Sequence, residues 1–428
     1  MTTASHVLRR VDAADLRRTP RDPVPAEILE QAREIVTKVR AGGEVVLRRY
    51  ATQFDGLAED APMIHTAAEL ESAFDALDDE AQGVLRRTAE RIDDFARWQR
   101  EALRDVEVHA HGMRMGHRVI PVATAGCYAP GGRFPLPSTV MMTAVTARAA
   151  GVPHVLVCSP NPQPVTLAAA HVAGADGLLA IGGAHAIAAM AFGTETVPAC
   201  DVIVGPGNAW VTAGKQLVAG RVRIDSLAGP SELLVVADAS TDPARAAADL
   251  LGQAEHDVMA VPALIALDDG VIESIETEIE TQLADLPTAE IATAALENGY
   301  AVRATDADDA LELCDVIAPE HLQWMAAGTE TALERLKNYG GLFLGDDAAE
   351  VLGDYGAGPN HVLPTGGSAR AKGGLNVYDF VKVNTFMQAD DGADVDRVAA
   401  DSAALARMEG LAAHERAATL RRRGLGRG

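Results

Sequence analysis

Two hydrophobic periodicities divide the chain. Between residues 25 and 105, apolar residues recur three and four positions apart, which predicts helices over 25–49 and 67–103, with Thr66 as the cap of the second. From about residue 117 onward, short apolar runs alternate with helical segments. Repeated strand–helix units of this kind predict mostly parallel, doubly wound sheets. We therefore expect an α/β fold with two Rossmann-like doubly wound domains, a helical N-terminal segment and a small helical C-terminal tail.

The predicted elements follow one another closely along the chain. Helices are predicted at 138–150, 165–173, 184–192, 208–219, 271–284 and 307–314, and one more begins at Pro243 with Asp242 as its cap. Strands are predicted at 117–123, 154–158, 177–181, 201–205, 221–225, 231–238, 263–267, 301–305 and 341–346. After about residue 375 the pattern becomes helical again.

The composition narrows the class of protein. A chain of 428 residues exceeds the size of one ordinary core, and 48% hydrophobic with only 4% aromatic residues is typical of an α/β enzyme packed with Ala, Val and Leu. The net charge of −24 disfavours nucleic acids and anionic membranes as partners. The acid-rich, lysine-poor surface resembles that of proteins from salt-accumulating halophiles.

Cysteine usage and hydropathy predict the location. The four cysteines are widely scattered and form no CxxC pair, so we expect reduced intracellular thiols: Cys127, Cys158, Cys200 and Cys314. No run of about 18 uncharged apolar residues occurs, and the N-terminus lacks the apolar stretch of a signal peptide. These features predict a soluble cytoplasmic protein.

Four glycine-rich loops are expected near strand ends, where parallel sheets bind ligands. They are 126–138, 181–185, 204–208 and 228–232. Glycine permits positive φ and close approach of the backbone, so such loops can surround a phosphate or a dinucleotide. Any one of them could be a tight turn, but four together favour a ligand. The usual dinucleotide fingerprint is missing, because Trp210 stands where GPGNAW would need its third glycine.

Polar residues in the second half suggest a metal site. Gln253 and His256 lie about 60° apart on one helix face, and Asp354 occupies another glycine-rich loop. With one further histidine these side chains form an N/O ligand set suited to zinc, although no short motif fixes the set. Glu320 and His321 follow a proline, which predicts a rigid turn that presents two proton-transfer groups.

Six long motifs occur in order through most of the chain: GCYAPGGRFPLPSTVMMTAVTARAAGV, GPGNAWV, IDSLAGPSELLVVAD, QAEH, APEHL and GDYGAGPNHVLPT. Together they resemble the histidinol dehydrogenase family. That family uses zinc and two NAD per turnover to oxidise L-histidinol through L-histidinal to L-histidine, the last two steps of histidine biosynthesis. The resemblance implies the same cofactors, substrate and reaction here.

The resemblance also implies roles for individual residues. The implied zinc ligands are Gln253, His256, Asp354 and His414, the last donated across the interface of an intertwined homodimer. The implied substrate-binding residues are Ser231, Gln253, His256, Glu320, Asp354, His361, Glu409 and His414. His321 is the implied general base, and Glu320 would activate water for the second oxidation. The implied NAD contacts are Tyr128, Asn208 and His185, which stands where the family commonly has Gln. Gly410 would break the helix between Glu409 and His414 so that both reach one site.

The resemblance further implies a domain scheme. Residues 20–126 with 232–375 would form the metal and substrate domain, 127–231 the NAD domain, and 1–19 with 376–428 a helical dimerisation tail. The nearest alternative is a sister zinc and NAD dehydrogenase of another small polyol such as sulfopropanediol; His361 and Glu409 favour histidinol. A zinc hydrolase would leave the glycine-rich loops unexplained, and the Glu320–His321 pair argues against a non-catalytic nucleotide-binding protein.

Overall fold

The computed structural model describes residues 7–16, 24–131, 135–390 and 393–422. The strands in these residues are β1 Arg9–Arg10, β2 Ile64–Thr66, β3 Val106–Ala110, β4 Met113–Pro121, β5 Thr124–Tyr128, β6 His154–Cys158, β7 Gly177–Leu179, β8 Val202–Val204, β9 Arg223–Ile224, β10 Glu232–Ala237, β11 Val261–Ala266, β12 Tyr300–Arg303, β13 His321–Trp324, β14 Gly341–Leu344 and β15 Val381–Ala389. The helices are α1 Ala13–Leu16, α2 Ala26–Asp55, α3 Ala67–Asp75, α4 Asp79–Glu101, α5 Pro137–Ala149, α6 Pro164–Val172, α7 Gly183–Phe192, α8 Ala209–Val218, α9 Pro243–Ala254, α10 Asp269–Leu283, α11 Ala289–Leu296, α12 Ala307–Ile317, α13 Thr329–Arg335, α14 Glu350–Asp354, α15 Ala393–Met408 and α16 Ala412–Thr419.

Two six-stranded sheets form the larger of two compact units, which comprises the described residues of Met1–Trp98 and Val122–Phe380. The first sheet has the order β1-β12-β11-β10-β13-β14 and is parallel throughout. The second has the order β2-β7-β6-β5-β8-β9 and is parallel except for β2. The predicted α/β class with parallel, doubly wound sheets is confirmed.

The central strands are buried on both faces because helices cover both sides of each sheet. All six residues of β11 are buried, and five of the six in β10. In sequence such strands are continuous apolar runs, and for this reason their positions could be predicted well. Alanine dominates the covering helices: in α7, eight of ten residues are buried and five of those are alanine. Small side chains let helices pack closely, which explains the low aromatic content.

The smaller unit comprises Gln99–Pro121 and the described residues of Val381–Gly428. It contains a three-stranded antiparallel sheet, β15-β4-β3, followed by α15 and α16. His111 and Gly112 both have positive φ, at 54° and 72°, which produces the two-residue turn of the β3–β4 hairpin. The predicted return to helix after residue 375 holds for α15 and α16 but not for β15, a strand whose polar side chains mask its alternation.

Local start and stop signals account for several helix boundaries. Thr66 forms a complete capping box with Glu69, and Asp242 caps α9 ahead of Pro243, as predicted. The helix predicted over 67–103 is instead two helices, because Asp78 caps a new start at α4 by accepting from the backbone N–H of Ala81. Gly410 has φ 76° and separates α15 from α16, as expected.

Two short strands lie in sheets to which the predicted domain scheme does not assign them. β1, from the predicted tail, pairs with β12 in the first sheet, and β2 pairs with β7 in the second. Strands of two and three residues leave no periodicity that a sequence can show. The boundaries 20–126 with 232–375, 127–231, and 1–19 with 376–428 otherwise stay predictions. None of the described helices is both long and apolar enough to span a bilayer.

Candidate active site

A cleft of about 1450 Å³ opens in the larger unit along the edges of its two sheets. The second sheet contributes loops after its strands, including 206–209 beyond β8. The first sheet contributes the opposite edge: Ser231 lies immediately before β10, and Glu320 immediately before β13. The expected rule, that ligands gather at the carboxyl ends of parallel strands, therefore holds for the second sheet alone.

Asp354 is the centre of the polar groups in this cleft. Its carboxylate lies 3.7 Å from His256 Nε2, 3.7 Å from His321 Nε2 and 3.9 Å from His361 Nδ1. Its backbone carbonyl also accepts a hydrogen bond from His361 Nδ1 at 2.8 Å. Asp354 was expected in a loop, but it is the last residue of the short helix α14. The structure thus brings together side chains separated by about a hundred residues in sequence.

Gln253 supplies the strongest sign of a ligand. Its side chain is 1% exposed, and neither its amide oxygen nor its amide nitrogen has a hydrogen-bond partner within the described part of the chain. Buried amides without partners are rare and costly, so a group that coordinates the oxygen would account for this one. Gln253 lies near the end of α9, which packs against α14, and His256 follows two residues after that helix ends.

Glu350 belongs to the same cluster and was missed by the sequence analysis. Ligand atoms of His256, Glu350 and Asp354 all lie within 4.8 Å of one another, a spacing that could hold a metal ion. Glu350 and Asp354 are four residues apart on α14, so they share one helix face, and this spacing is the signal that could have revealed Glu350. The donor set of imidazole, carboxylate and amide oxygen fits zinc or a similar divalent ion.

His321 has one ring nitrogen fixed and the other free. Nδ1 lies 2.9 Å from the carbonyl oxygen of Glu232, which can only accept, so Nδ1 carries the hydrogen. In the neutral ring, Nε2 then carries the lone pair, and no hydrogen-bond partner occupies it among the described residues. Glu320 lies in a bend after Pro319, as the predicted turn requires, but His321 is already the first residue of β13, an inner strand beside the edge strand β14. A strand holds the imidazole more firmly than a turn would.

Glu320 is buried beside His321 and accepts two hydrogen bonds. Its carboxylate receives the Ser231 hydroxyl at 2.7 Å and the Glu232 backbone N–H at 2.8 Å. Burial nevertheless raises the pKa of Glu320 well above its usual value. Ser231, predicted to contact the substrate, thus lies in the cleft with its hydroxyl donated to Glu320.

Burial also shifts two neighbouring groups. It raises the pKa of Glu350 to about 8, although the nearby His321 acts in the opposite direction. It lowers the pKa of His361, so this imidazole is neutral at pH 7. His361 Nε2 lies 3.2 Å from the Thr139 hydroxyl, which joins the cleft wall to α5. Burial therefore disfavours the charged form of both groups.

The three residues expected to contact NAD occupy different environments. Asn208 is exposed, lines the cleft and caps α8 through its side-chain oxygen. Tyr128 is 3% exposed, and its hydroxyl accepts from the Gly183 N–H at 3.4 Å. His185 is 2% exposed, and its Nε2 lies 2.8 Å from the carboxylate of Asp55. Asn208 is the one of the three that faces the cleft directly.

Glu409 and His414 belong to the smaller unit. Glu409 directly follows α15, His414 lies on α16, and both are exposed. Arg407 pairs with Glu415 at 2.6 Å and so ties the two helices together. Their roles as substrate and metal ligands stay predictions.

The cleft is typical of α/β enzymes that hold a small polar substrate beside a divalent ion and remove a proton from it. Residues 19–422 match the family model described as histidinol dehydrogenase. The chain is 45% identical over 404 residues to the histidinol dehydrogenase of Thermus thermophilus, covering 94% of this chain and 95% of that one. It is 45% identical over 396 residues to the histidinol dehydrogenase of Parasynechococcus marenigrum, covering 91% and 89%.

A solved structure agrees with these relatives. The crystal structure of histidinol dehydrogenase from Elizabethkingia anophelis superposes with a TM-score of 0.91 at 30% identity, covering 99% of this chain and all of that one. The chain belongs to the histidinol dehydrogenase family. It is therefore an NAD-dependent oxidoreductase of histidine biosynthesis, and the sister polyol dehydrogenase is not favoured.

Proposed function

We propose that the chain oxidises L-histidinol to L-histidine in two NAD-dependent steps, with L-histidinal as the intermediate. The observation that carries this proposal is the state of His321, whose Nδ1 is fixed on the Glu232 carbonyl while Nε2, buried in the wall of the cleft, has no hydrogen-bond partner among the described residues. Alcohol oxidation requires loss of the hydroxyl proton as hydride leaves, and a free Nε2 is suited to accept it. When bound, NAD supplies the hydride acceptor for both steps.

The second step requires a water molecule to add to the aldehyde. Glu320 lies directly before His321, and a carboxylate whose pKa is raised by burial is a stronger base than an ordinary one. We assign Glu320 to deprotonation of this water. His321, once it has released its first proton to solvent, accepts the hydroxyl proton of the hydrated aldehyde as the second hydride leaves. The Ser231 hydroxyl and the Glu232 N–H hold the Glu320 carboxylate in place for this work.

The metal would be held by Gln253, His256 and Asp354 of one chain and His414 of a second. Support comes from the unpartnered amide of Gln253 and the close approach of His256 to Asp354. When bound, zinc supplies coordination sites for the substrate's imidazole and amine nitrogens. His361 and Glu409 would complete the substrate site, with Glu409 balancing the charge of the amine.

We also propose a homodimer that shares its active sites. Near Asp354, three apolar side chains are more than half exposed, namely Val351 at 51%, Leu352 at 53% and Tyr355 at 62%. The smaller unit carries exposed apolar residues of its own, among them Met387 at 72%, Met408 at 82% and Leu420 at 79%. Exposed apolar groups of this size favour contact with a partner chain.

A cytoplasmic location is proposed because reduced thiols, like the four buried ones here, persist there.

One assay tests the reaction. The protein is incubated with L-histidinol and NAD, and NADH absorbance is followed with and without a chelator. We expect two NADH per L-histidinol, loss of activity with the chelator, and recovery with added zinc. NADH formed from sulfopropanediol but not from L-histidinol would overturn the proposed substrate.

Subunit mixing tests whether His414 acts in the second chain. H321N and H414N are each expected to be inactive as homodimers. When the two variants are unfolded and refolded together, about half of the dimers are mixed. In a mixed dimer, one of the two sites combines the intact His321 of one chain with the intact His414 of the other, so about a quarter of the wild-type activity should return. If His414 instead served its own chain, no mixed dimer would contain a complete site and no activity would return.

A further inference from the structure

Lys215 is a fully buried cation that the proposed reaction does not use. Its side chain is 2% exposed, and it lies on α8, seven residues after the cleft residue Asn208. The ammonium group forms an ion pair with Asp225, which is likewise 2% exposed, and donates to the Gly205 carbonyl at 2.9 Å. Asp225 directly follows β9 and lines the cleft.

The ion pair holds both backbone groups of one glycine. Gly205 donates its N–H to the Asp225 carboxylate at 2.7 Å, while its carbonyl accepts from Lys215. Gly205 has φ 113°, and an added Cβ would lie 1.9 Å from the backbone oxygen of Tyr128. Gly205 is therefore fixed in position at the start of the loop 205–208, which leads from β8 into the cleft and ends at Asn208.

Asp225 also begins the segment that joins the two sheets. Residues 225–231 run from β9 in the second sheet to β10 in the first. The Thr212 hydroxyl of α8 donates to the carbonyl of Ala228 in this segment at 2.8 Å, and Ser231 at its end donates to Glu320 at 2.7 Å. A continuous set of contacts thus connects the loop 205–208 with the proposed catalytic carboxylate.

A buried ion pair is weak evidence of a stabilising role. Removing two charges from water costs free energy that their attraction often fails to recover, and well-packed apolar replacements are frequently as stable. What this pair provides is fixed geometry, because each charge also binds one backbone group of Gly205. Because the pair lies between the loop 205–208 and the segment 225–231, it fixes the spacing between them.

We propose that Lys215 and Asp225 are positioning residues for the nicotinamide nucleotide. They hold the loop 205–208 at one spacing from the segment 225–231, and so hold the bound nucleotide at one spacing from Glu320. Neither side chain touches the reacting atoms. This inference rests on the proposed NAD-dependent reaction and on NAD binding along the loop 205–208, which the family resemblance implies for Asn208.

The test compares K215M, the double variant K215M/D225L and the control E276Q. Glu276 is a matched control, because it forms an ion pair with Arg10 at 2.7 Å and its carboxylate also accepts a backbone N–H, from Leu8 at 3.0 Å. It differs in position, since it lies on α10, which covers the first sheet, whereas Lys215 lies on α8. For each protein one measures the Kd for NAD by titration calorimetry, KM for NAD and for L-histidinol, zinc content and the unfolding midpoint.

We expect K215M to raise the Kd and KM for NAD at least tenfold, with KM for L-histidinol and zinc content within twofold of wild type. The double variant should unfold at a midpoint between those of K215M and the wild type, because no charge stays unpaired although Gly205 loses both of its partners, while its Kd for NAD stays at least tenfold raised. E276Q should lower the midpoint and leave NAD binding unchanged. The inference is overturned if the double variant binds NAD as wild type does, or if K215M changes stability alone. Wild-type protein that binds NAD without oxidising L-histidinol would refute the proposed substrate and leave this inference standing.

Discussion

Replacing His321 by Asn separates its proposed role as a base from a role as a metal ligand. An Asn amide nitrogen occupies nearly the place of His Nδ1, so the hydrogen bond to the Glu232 carbonyl, 2.9 Å long in the histidine, can be kept. What disappears is Nε2, the nitrogen without a hydrogen-bond partner in the described structure. The variant therefore removes the proposed basic atom while its main anchor remains.

The expected loss follows from the contribution of a positioned general base. Such a base accounts for about 10²–10⁴-fold in rate, which is about 3–5 kcal/mol in the activation barrier. Stability should change less, because the lost packing is mainly the tilted contact of the ring with Phe343, at 6.2 Å between ring centroids. We expect a loss of about 1–2 kcal/mol in unfolding free energy.

Three measurements on one preparation decide the matter. Initial rates of NADH formation should fall at least a hundredfold in H321N, while metal analysis should give the wild-type zinc content and circular dichroism should show a cooperative unfolding transition. H256N is the contrast, because it should lose zinc and activity together. If zinc content falls in step with activity in H321N, or if more than a tenth of the rate remains, the assignment of His321 as the base is refuted.

Further predictions concern the metal cluster, the surface and the dimer. Burial raises the pKa of Glu350 from the usual 4.5 to about 8, so between these pH values the folded metal-free protein binds a proton that the unfolded chain does not. Its free energy of unfolding should therefore fall as pH rises through this window. In E350Q, denaturant unfolding should show a flatter dependence of this free energy on pH. Zinc at a hundredfold excess over its Kd should stabilise the apoprotein by about 2.7 kcal/mol, seen as a rise in melting temperature that Q253A diminishes. With a net charge of −24, the melting temperature should rise between 0.1 and 1 M KCl as the screening length falls from about 10 to 3 Å; no change would argue against surface repulsion. Met387→Glu on exposed β15 should weaken dimerisation in sedimentation experiments, whereas the same change at exposed Val45 of α2 should not.

The sequence alone determined the parallel core of this protein. β6 was predicted with its exact bounds and β10 and β11 within two residues, because a strand buried on both faces is a continuous apolar run bounded by turn residues. Caps such as Thr66 and Asp242 were readable for a similar reason, since they act through neighbours three residues away or closer. The long motifs likewise identified the family without any structure.

The tertiary structure decided which polar residues meet. Gln253, His321 and Asp354 come from a helix end, a strand start and a short helix, and nothing in their spacing reports the distances between them. Glu350 joined the cluster and Lys215 was paired with Asp225 for the same reason. Hydrophobic periodicity is a local property that each segment carries by itself, whereas a binding site depends on where separate segments pack, and packing is fixed by the whole chain.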